Sequence, residues 1–327
     1  MHRQAKIVAA LLFGTLAAVG SAHAQEWPTR PITMVVPFAA GGPVDVIARI
    51  VQQRLSEILR QQVIVENVGG AGGMTGAQRV QHAAPDGYTF VLGSSGTHAI
   101  NQSLYKKPLY NAATDFTPVI LVAEAPLVLI TRNDLPVNNL PEFIAYAKAN
   151  QAKLHFGSAG VGSTTHIGGV LLNHAIGINV LHIPYRGGGP ALADLIAGRI
   201  DYICNIASTA VPAIEGKTVK GIAILAPERS PALPELATAH EQGLRNFEAF
   251  TWNAIFLPAG TPAPIVKKLN EAMIEVLDTP AVRERLDSVG LYVPAAKRRS
   301  PDYLAGFVKS EIEKWGVPIK ASGATVD

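Results

Sequence analysis

A chain whose apolar strands repeatedly run into small-residue loops that open onto amphipathic helices can bury its apolar faces in essentially one way, as helices layered on a sheet. Two copies of this unit stand out. Residues 32–37 lead through Phe38-Ala39-Ala40-Gly41-Gly42-Pro43 into a helix from about Val44. Residues 154–157 lead through Ser158-Ala159-Gly160-Val161-Gly162-Ser163-Thr164 into a helix from about Thr165. A helix start carries unpaired N–H groups and a partial positive charge, so it attracts carboxylates and phosphates. Gly and Ala leave that backbone uncovered, and neither loop holds a Lys or Arg. Either loop alone reads equally well as the tight strand-to-helix turn that every α/β fold needs. The pair points to a protein that grips one small anion between two lobes.

The first residues read as an export signal. His2, Arg3 and Lys6 form a basic stretch, residues 7–19 are apolar but short for a membrane span, and Ala22-His23-Ala24 supplies a small-x-small cleavage site. Cleavage there removes residues 1–24, starts the mature chain at Gln25 and places it in the periplasm. No later stretch is long and apolar enough to cross a bilayer. The roughly 300 residues that remain (327 less 24) suffice for one large domain or two medium ones. Losing Arg3 and Lys6 takes the formal charge from +3 to +1 (3 less 2), and no basic run with interleaved aromatics appears. Nucleic acid is therefore not an expected partner. Lys297-Arg298-Arg299 is the one basic triplet and reads as a solvated turn before a helix. Cys204 is the single cysteine, so no intramolecular disulfide can form. Its setting, Tyr202-Ile203-Cys204-Asn205-Ile206, reads as a buried strand.

Strands and helices alternate for most of the length, which predicts an α/β sandwich with parallel strands. Strand-like segments at 119–123 and 127–131 are interrupted at Pro126, where the chain is expected to cross between lobes. Residues 250–257 read as the return crossing. The last helices, 264–277, 280–288 and 301–322 with Ser300 as N-cap, are expected to pack back on the first lobe. The expected division is 25–124 plus 253–327 for lobe 1, and 125–252 for lobe 2.

Motifs of enzymes are missing. Neither Gly70-Ala71-Gly72-Gly73-Met74-Thr75 nor Gly160-Val161-Gly162-Ser163-Thr164-Thr165 completes G-x-G-x-x-G, and no G-x-x-x-x-G-K-[ST] occurs. Ser94, Ser95, Ser158 and Ser163 do not form a G-x-S-x-G elbow. Histidines 98, 155, 166, 174 and 182 lack metal-ligand spacing, so hydrogen-bonded structural imidazoles are the expected reading. Asp45 falls in the first turn of the first cradle helix, where compensation of the helix dipole is the simplest role. No cofactor is expected.

Together with the first loop, Ala84-Pro85-Asp86-Gly87-Tyr88-Thr89, Gly157-Ser158-Ala159-Gly160, His182-Ile183-Pro184-Tyr185-Arg186-Gly187-Gly188, Arg229-Ser230-Pro231-Ala232-Leu233-Pro234 and Pro258-Ala259-Gly260-Thr261-Pro262 carry a resemblance. In that order, across nearly the whole mature chain, the sequence resembles the Bug/TctC extracytoplasmic solute receptors of tripartite tricarboxylate transporters. The resemblance implies a two-lobed periplasmic binding protein of type II-like architecture, with Rossmann-like lobes joined by two crossing strands. It implies a monomer that binds a small organic carboxylate, delivers it to integral-membrane transporter subunits and performs no chemistry. Carried over, Phe38, Ala39, Ala40, Gly42, Pro43, Ser158, Ala159, Gly160, Val161, Gly162, Ser163 and Thr164 form the carboxylate cradle, with Ser94 and Ser95 beside it. Many relatives have Asp where this chain has Asn205, and Asn cannot supply a charge to a ligand ammonium. A dicarboxylate or an aromatic carboxylate such as terephthalate is thus expected, with Asn205, Tyr185, Ala207 and Ser208 as selectors. A sensory receptor for a membrane kinase, or a hydrolase on the same lobes, would be the alternatives.

Overall fold

A computed structural model describes residues 27–322 and 324–326. The expected export signal, residues 1–24, lies outside the described residues. In chain order, β1 (Ile32–Val36) feeds α1 (Pro43–Leu59), and β2 (Val63–Asn67) feeds α2 (Met74–Gln81). Strand β3 (Thr89–Ser94) runs through a wide turn, Gly96–Ile100, into α3 (Asn101–Leu104). The long β4 (Phe116–Thr131) leads to α4 (Leu140–Asn150). The second set follows: β5 (His155–Ser158), α5 (Thr164–Ile176), β6 (Leu181–Pro184), α6 (Gly188–Ile196), β7 (Tyr202–Ile206), α7 (Ala207–Glu215) and β8 (Lys220–Ile224). The chain returns through β9 (Phe250–Pro258) and ends in α8 (Ala263–Asp278), α9 (Pro280–Ser288) and α10 (Pro301–Ser322). Ser300 caps α10 as expected, its Oγ accepting from Tyr303 N at 3.1 Å.

The expectation of parallel strands holds within each set and fails at the crossings. Strands β1, β2 and β3 pair in parallel, as do β5, β6 and β7. The crossing strands β4 and β9 run antiparallel to each other and to their neighbours. A connection that leaves one sheet half and returns to it must reverse direction, and local sequence does not encode that. The predicted break at Pro126 becomes a change of partner inside one strand. Residues 116–126 of β4 pair with β9, whereas Leu127–Thr131 pair with β7.

Alternation along the strands feeds two cores, because successive side chains leave opposite faces of a sheet. Met34, Val36, Phe90, Leu92 and Ile255 meet α1 and α8 on one face. Val35, Val91, Ala254 and Phe256 meet α2 and α10 on the other. Cys204 is fully buried in the first of these cores, as expected of a small apolar side chain, and burial pushes its thiol pKa up. The basic triplet is not a solvated turn. Arg298 grips Glu124 with both guanidinium nitrogens, at 2.5 and 2.8 Å. Arg299 is buried, donating to Pro294 O and Asp278. Paired carboxylates and carbonyls offset the desolvation of these cations, and the partners lie too far away in sequence to be foreseen.

Phe256 is fully buried on β9 and stacks on His98 with ring centroids 3.9 Å apart. Phe256→Ala is expected to cost about 3–5 kcal/mol in denaturant unfolding. A loss below about 1 kcal/mol would show that this second core carries little of the stability.

Candidate functional site

Four strand-to-helix turns, drawn from both sheet halves, end at one place. The wall of the enclosed space there comprises Phe38, Pro43, Val44, Ser94, Ala159, Ser163, Thr164, Thr165, Gly188 and Ile206. Pro43 and Val44 open α1, Thr164 and Thr165 open α5, Gly188 opens α6, and Ile206 is the N-cap of α7. In α/β sheets, ligands bind beyond the carboxyl ends of the strands, which is where these helices begin. Each start carries about half a positive charge on its unpaired amides. The wall contains no Lys, Arg, His, Asp or Glu, so that field is not countered locally by a wall side chain. The space is narrow: of ≈ 300 Å³ in all, only ≈ 20 Å³ can hold the centre of a water-sized sphere. A larger cleft lies elsewhere, near Trp252 and α10, but no helix start faces it.

The first loop is held from behind. Asp45, in the first turn of α1 and 3 % exposed, accepts from Gly41 N at 3.0 Å and from Arg49 Nε at 2.8 Å. Its other oxygen accepts from Asn67 Nδ2 at 3.0 Å, and that same nitrogen donates to Phe38 O at 3.1 Å. Asp45 thus ties both ends of the loop, a positioning role beyond dipole compensation. Burial alone would raise its pKa, but the bonds from Arg49, Gly41 and Asn67 outweigh it and keep the carboxyl below its ordinary range. Gly41 takes φ +74°, which a side chain would strain.

The second loop spends most of its amides internally. Ala159 N donates to Thr165 Oγ1 at 2.9 Å, Gly160 N to Ser158 Oγ at 3.1 Å, and Gly162 N to His166 Nδ1 at 3.2 Å. Ser163 caps α5 by accepting from His166 N at 3.2 Å. Ser158 Oγ in turn pairs with His182 Nε2 at 2.7 Å, and the His166 and His182 rings lie 4.3 Å apart. These histidines are structural, supporting the loop from beneath. What remains for a ligand is the amide pair at the start of α5, because the hydroxyls of Ser163, Thr164 and Thr165 are already engaged with Gly160 O, Ser95 Oγ and Ala159 N respectively.

Of the residues expected to bind, Phe38, Pro43, Ser94, Ala159, Ser163 and Thr164 stand on the wall. Others form the seam where the two loops meet the opposite half. Ala39 N donates to Arg186 O at 3.1 Å, and Tyr105 OH donates to Val161 O at 3.1 Å. A Cβ added to Gly42 would come 3.3 Å from Gly188 N. On Gly189 it would come 2.6 Å from Ala40 O; on Gly160 it would come 2.9 Å from Tyr185 O of the same half and 3.6 Å from Gly72 N of the other. Gly162 packs against Asn101 in the same way. Ser95 is turned from the wall: its Oγ bonds Thr164 Oγ1 at 2.8 Å and Thr251 Oγ1 at 2.9 Å. Three hydroxyls, from the turn after β3, the second loop and the crossing strand β9, are thus knotted together.

The expected selectors are also directed elsewhere. Asn205 donates to Thr209 at 3.0 Å, and Tyr185 OH donates to Asp194 at 2.8 Å. Ala207 and Ser208 lie in the first turn of α7, with Ser208 Oγ 3.5 Å from Pro43 O. Val44, Thr165, Gly188 and Ile206 are the wall residues that sequence reasoning missed. The glycine run before α6 was the available signal. Among the described residues, no group of three or more His, Cys, Asp or Glu is placed to hold a metal ion.

Burial holds His166 neutral, its pKa pushed down from 6.5 to about 4. Burial and the neighbouring His166 push His182 down to about 3. Between those values and 6.5 the unfolded chain binds more protons than the folded one, so stability falls as pH drops through that window. Denaturant midpoints from pH 7 to pH 4 should decline steadily. His166→Gln and His182→Gln, which keep a polar group without titrating, should flatten the decline, and an unchanged slope would contradict the assignment.

Residues 47–324 match the model of TctC, the tripartite tricarboxylate transporter family receptor. The periplasmic binding protein BugD is 38 % identical, with TM-score 0.89 over 91 % of this chain and 99 % of that one. MatC from Rhodopseudomonas palustris, solved with bound malate, is 41 % identical, with TM-score 0.87 over 90 % and 100 % of the two chains. Rpa4515 of the same organism, solved with adipate, is 34 % identical, with TM-score 0.88 over 92 % and 100 %. The shared architecture is a two-lobed periplasmic binding protein, and the chain belongs to the tripartite tricarboxylate transporter receptor family.

Proposed function

We propose that this chain is exported to the periplasm, that residues 1–24 are removed, and that the mature protein captures a small dicarboxylate for delivery to transporter membrane subunits. The observation that carries the reading is the convergence of four helix starts on a cavity wall without a charged side chain. Amides supply directional bonds to carboxylate oxygens without a full fixed charge that would hold the ligand too tightly for release. The wall offers no carboxylate to pair with an ammonium group, which disfavours amino acids. Related receptors solved with malate and adipate agree with a dicarboxylate. No histidine stands on the wall beside the Ser94 or Ser163 hydroxyl, so a nucleophile–base pair has no support and binding without chemistry is the better reading.

Capture works by differential affinity. Residues 25–124 with 253–327 form one lobe and 125–252 the other in this reading, and a ligand touching helix starts of both stabilises the closed arrangement. Closure also needs the seam, where backbones meet with no room for side chains.

Titration calorimetry against malate, adipate, terephthalate, glutamate and aspartate tests the ligand class. Aliphatic diacids should bind at least tenfold tighter than the amino acids, about 1.4 kcal/mol. A preference for glutamate or aspartate would overturn the proposal.

Gly189→Ala tests closure separately. In the first turn of α6, Ala should favour the helix by up to about 1 kcal/mol. Its methyl would nevertheless stand 2.6 Å from Ala40 O across the seam. The melting temperature should hold or rise while diacid affinity falls at least tenfold. Unchanged affinity would show that the seam does not close on the ligand.

A further inference from the structure

A cleft far roomier than the carboxylate cavity lies on the other side of the hydroxyl knot from it, and it has no role in the reading above. Space for the centre of a water-sized sphere extends over ≈ 470 Å³ there, against ≈ 20 Å³ in the carboxylate cavity. Its walls come from three sources. Leu171 of α5 and residues 246–248 belong to one lobe, and Phe307, Glu311 and Trp315 of α10 belong to the other. Glu124 and residues 250–252 belong to the crossing strands. Thr251 lines this cleft and bonds Ser95, which bonds Thr164 on the wall of the carboxylate cavity. The crossing strands therefore separate two interlobe spaces. A rotation about them that widens one narrows the other.

The chemistry of this cleft is opposite to that of the carboxylate cavity. Phe250, Trp252, Phe307 and Trp315 give it aromatic walls. Three carboxylates (Glu124, Glu248, Glu311) face two cations (Arg298, Lys314), one negative charge in excess. Arg298 is already bound by Glu124 and Tyr303, and Glu311 by both indole N–H groups and Lys314. Glu248, exposed at the rim, has no ion-pair partner among the described residues. Aromatic faces and a free carboxylate suit a ring bearing an ammonium group, through stacking, cation–π attraction and an ion pair. They do not suit an anion.

We infer that this cleft is an effector site for aromatic amines whose occupancy props the lobes in the closed arrangement and so raises affinity for the carboxylate. The inference rests on the proposed reading of the carboxylate cavity for its second half only. Coupling between the sites is reciprocal, so the carboxylate must tighten amine binding by the same factor.

Phenethylamine is a suitable probe, because Trp252 and Trp315 on the walls report its binding by fluorescence with no carboxylate present. The expected result is saturable quenching, a smaller radius of gyration by small-angle scattering at saturation, and at least threefold tighter malate binding. Leu171→Trp, which fills the cleft from within, should abolish phenethylamine binding while retaining malate binding. Lack of saturable binding would overturn the inference, as would binding that leaves both radius and malate affinity unchanged, or binding unaffected by Leu171→Trp. If the radius shrinks but malate does not bind with or without the probe, the effector site stands and the carboxylate reading fails.

Discussion

No charged side chain stands on the wall of the narrow cavity, so the positive potential that its wall presents comes from peptide dipoles at helix starts. That constraint shapes the rest of the molecule. Unpaired amides attract an anion only if nothing covers them, so the loops in front must be built of Gly, Ala and small hydroxyl residues. Helices can converge on one point only if their preceding strands share a direction, so each of the two strand sets is parallel internally. The two parallel sets can face each other only if the chain crosses and returns, which produces the antiparallel pair β4 and β9. The least regular part of the sheet is thus a consequence of the site.

Loops made of small residues are floppy unless fixed, and each is fixed by a polar group behind it. The first depends on the buried Asp45 and its bridge through Asn67. The second depends on Ser158 and two histidines kept neutral by burial. In both, the polar side chain orients the cradle and stays off its wall. Glycine also serves the seam, where approach of backbone to backbone sets how tightly the halves meet.

Much of this was legible in the sequence. Alternating apolar patterns placed most elements to within a few residues, because those strands and helices show their period locally, but the short helices α3 and α7 went unforeseen. The paired loops were visible because their composition is unusual, and five of the residues they nominated, with Ser94, stand on the cavity wall. Strand direction at the crossings was not legible, since it depends on a partner more than a hundred residues away. Gly188 and Ile206 were missed for a similar reason: a short helix start with no capping hydroxyl looks ordinary until topology brings it beside the others. Asn205 was nominated by comparison, and its side chain is engaged with Thr209. The ion pair between Arg298 and Glu124 spans 174 positions, a distance no local pattern reports.

The most direct measurement is a crystal structure of the mature protein with malate. The account predicts carboxylate oxygens within hydrogen-bond distance, about 2.7–3.2 Å, of amides opening α1, α5, α6 or α7, with at least one such contact from each lobe. Malate held chiefly by lysine or arginine side chains, or seated in the aromatic cleft beside α10, would contradict it.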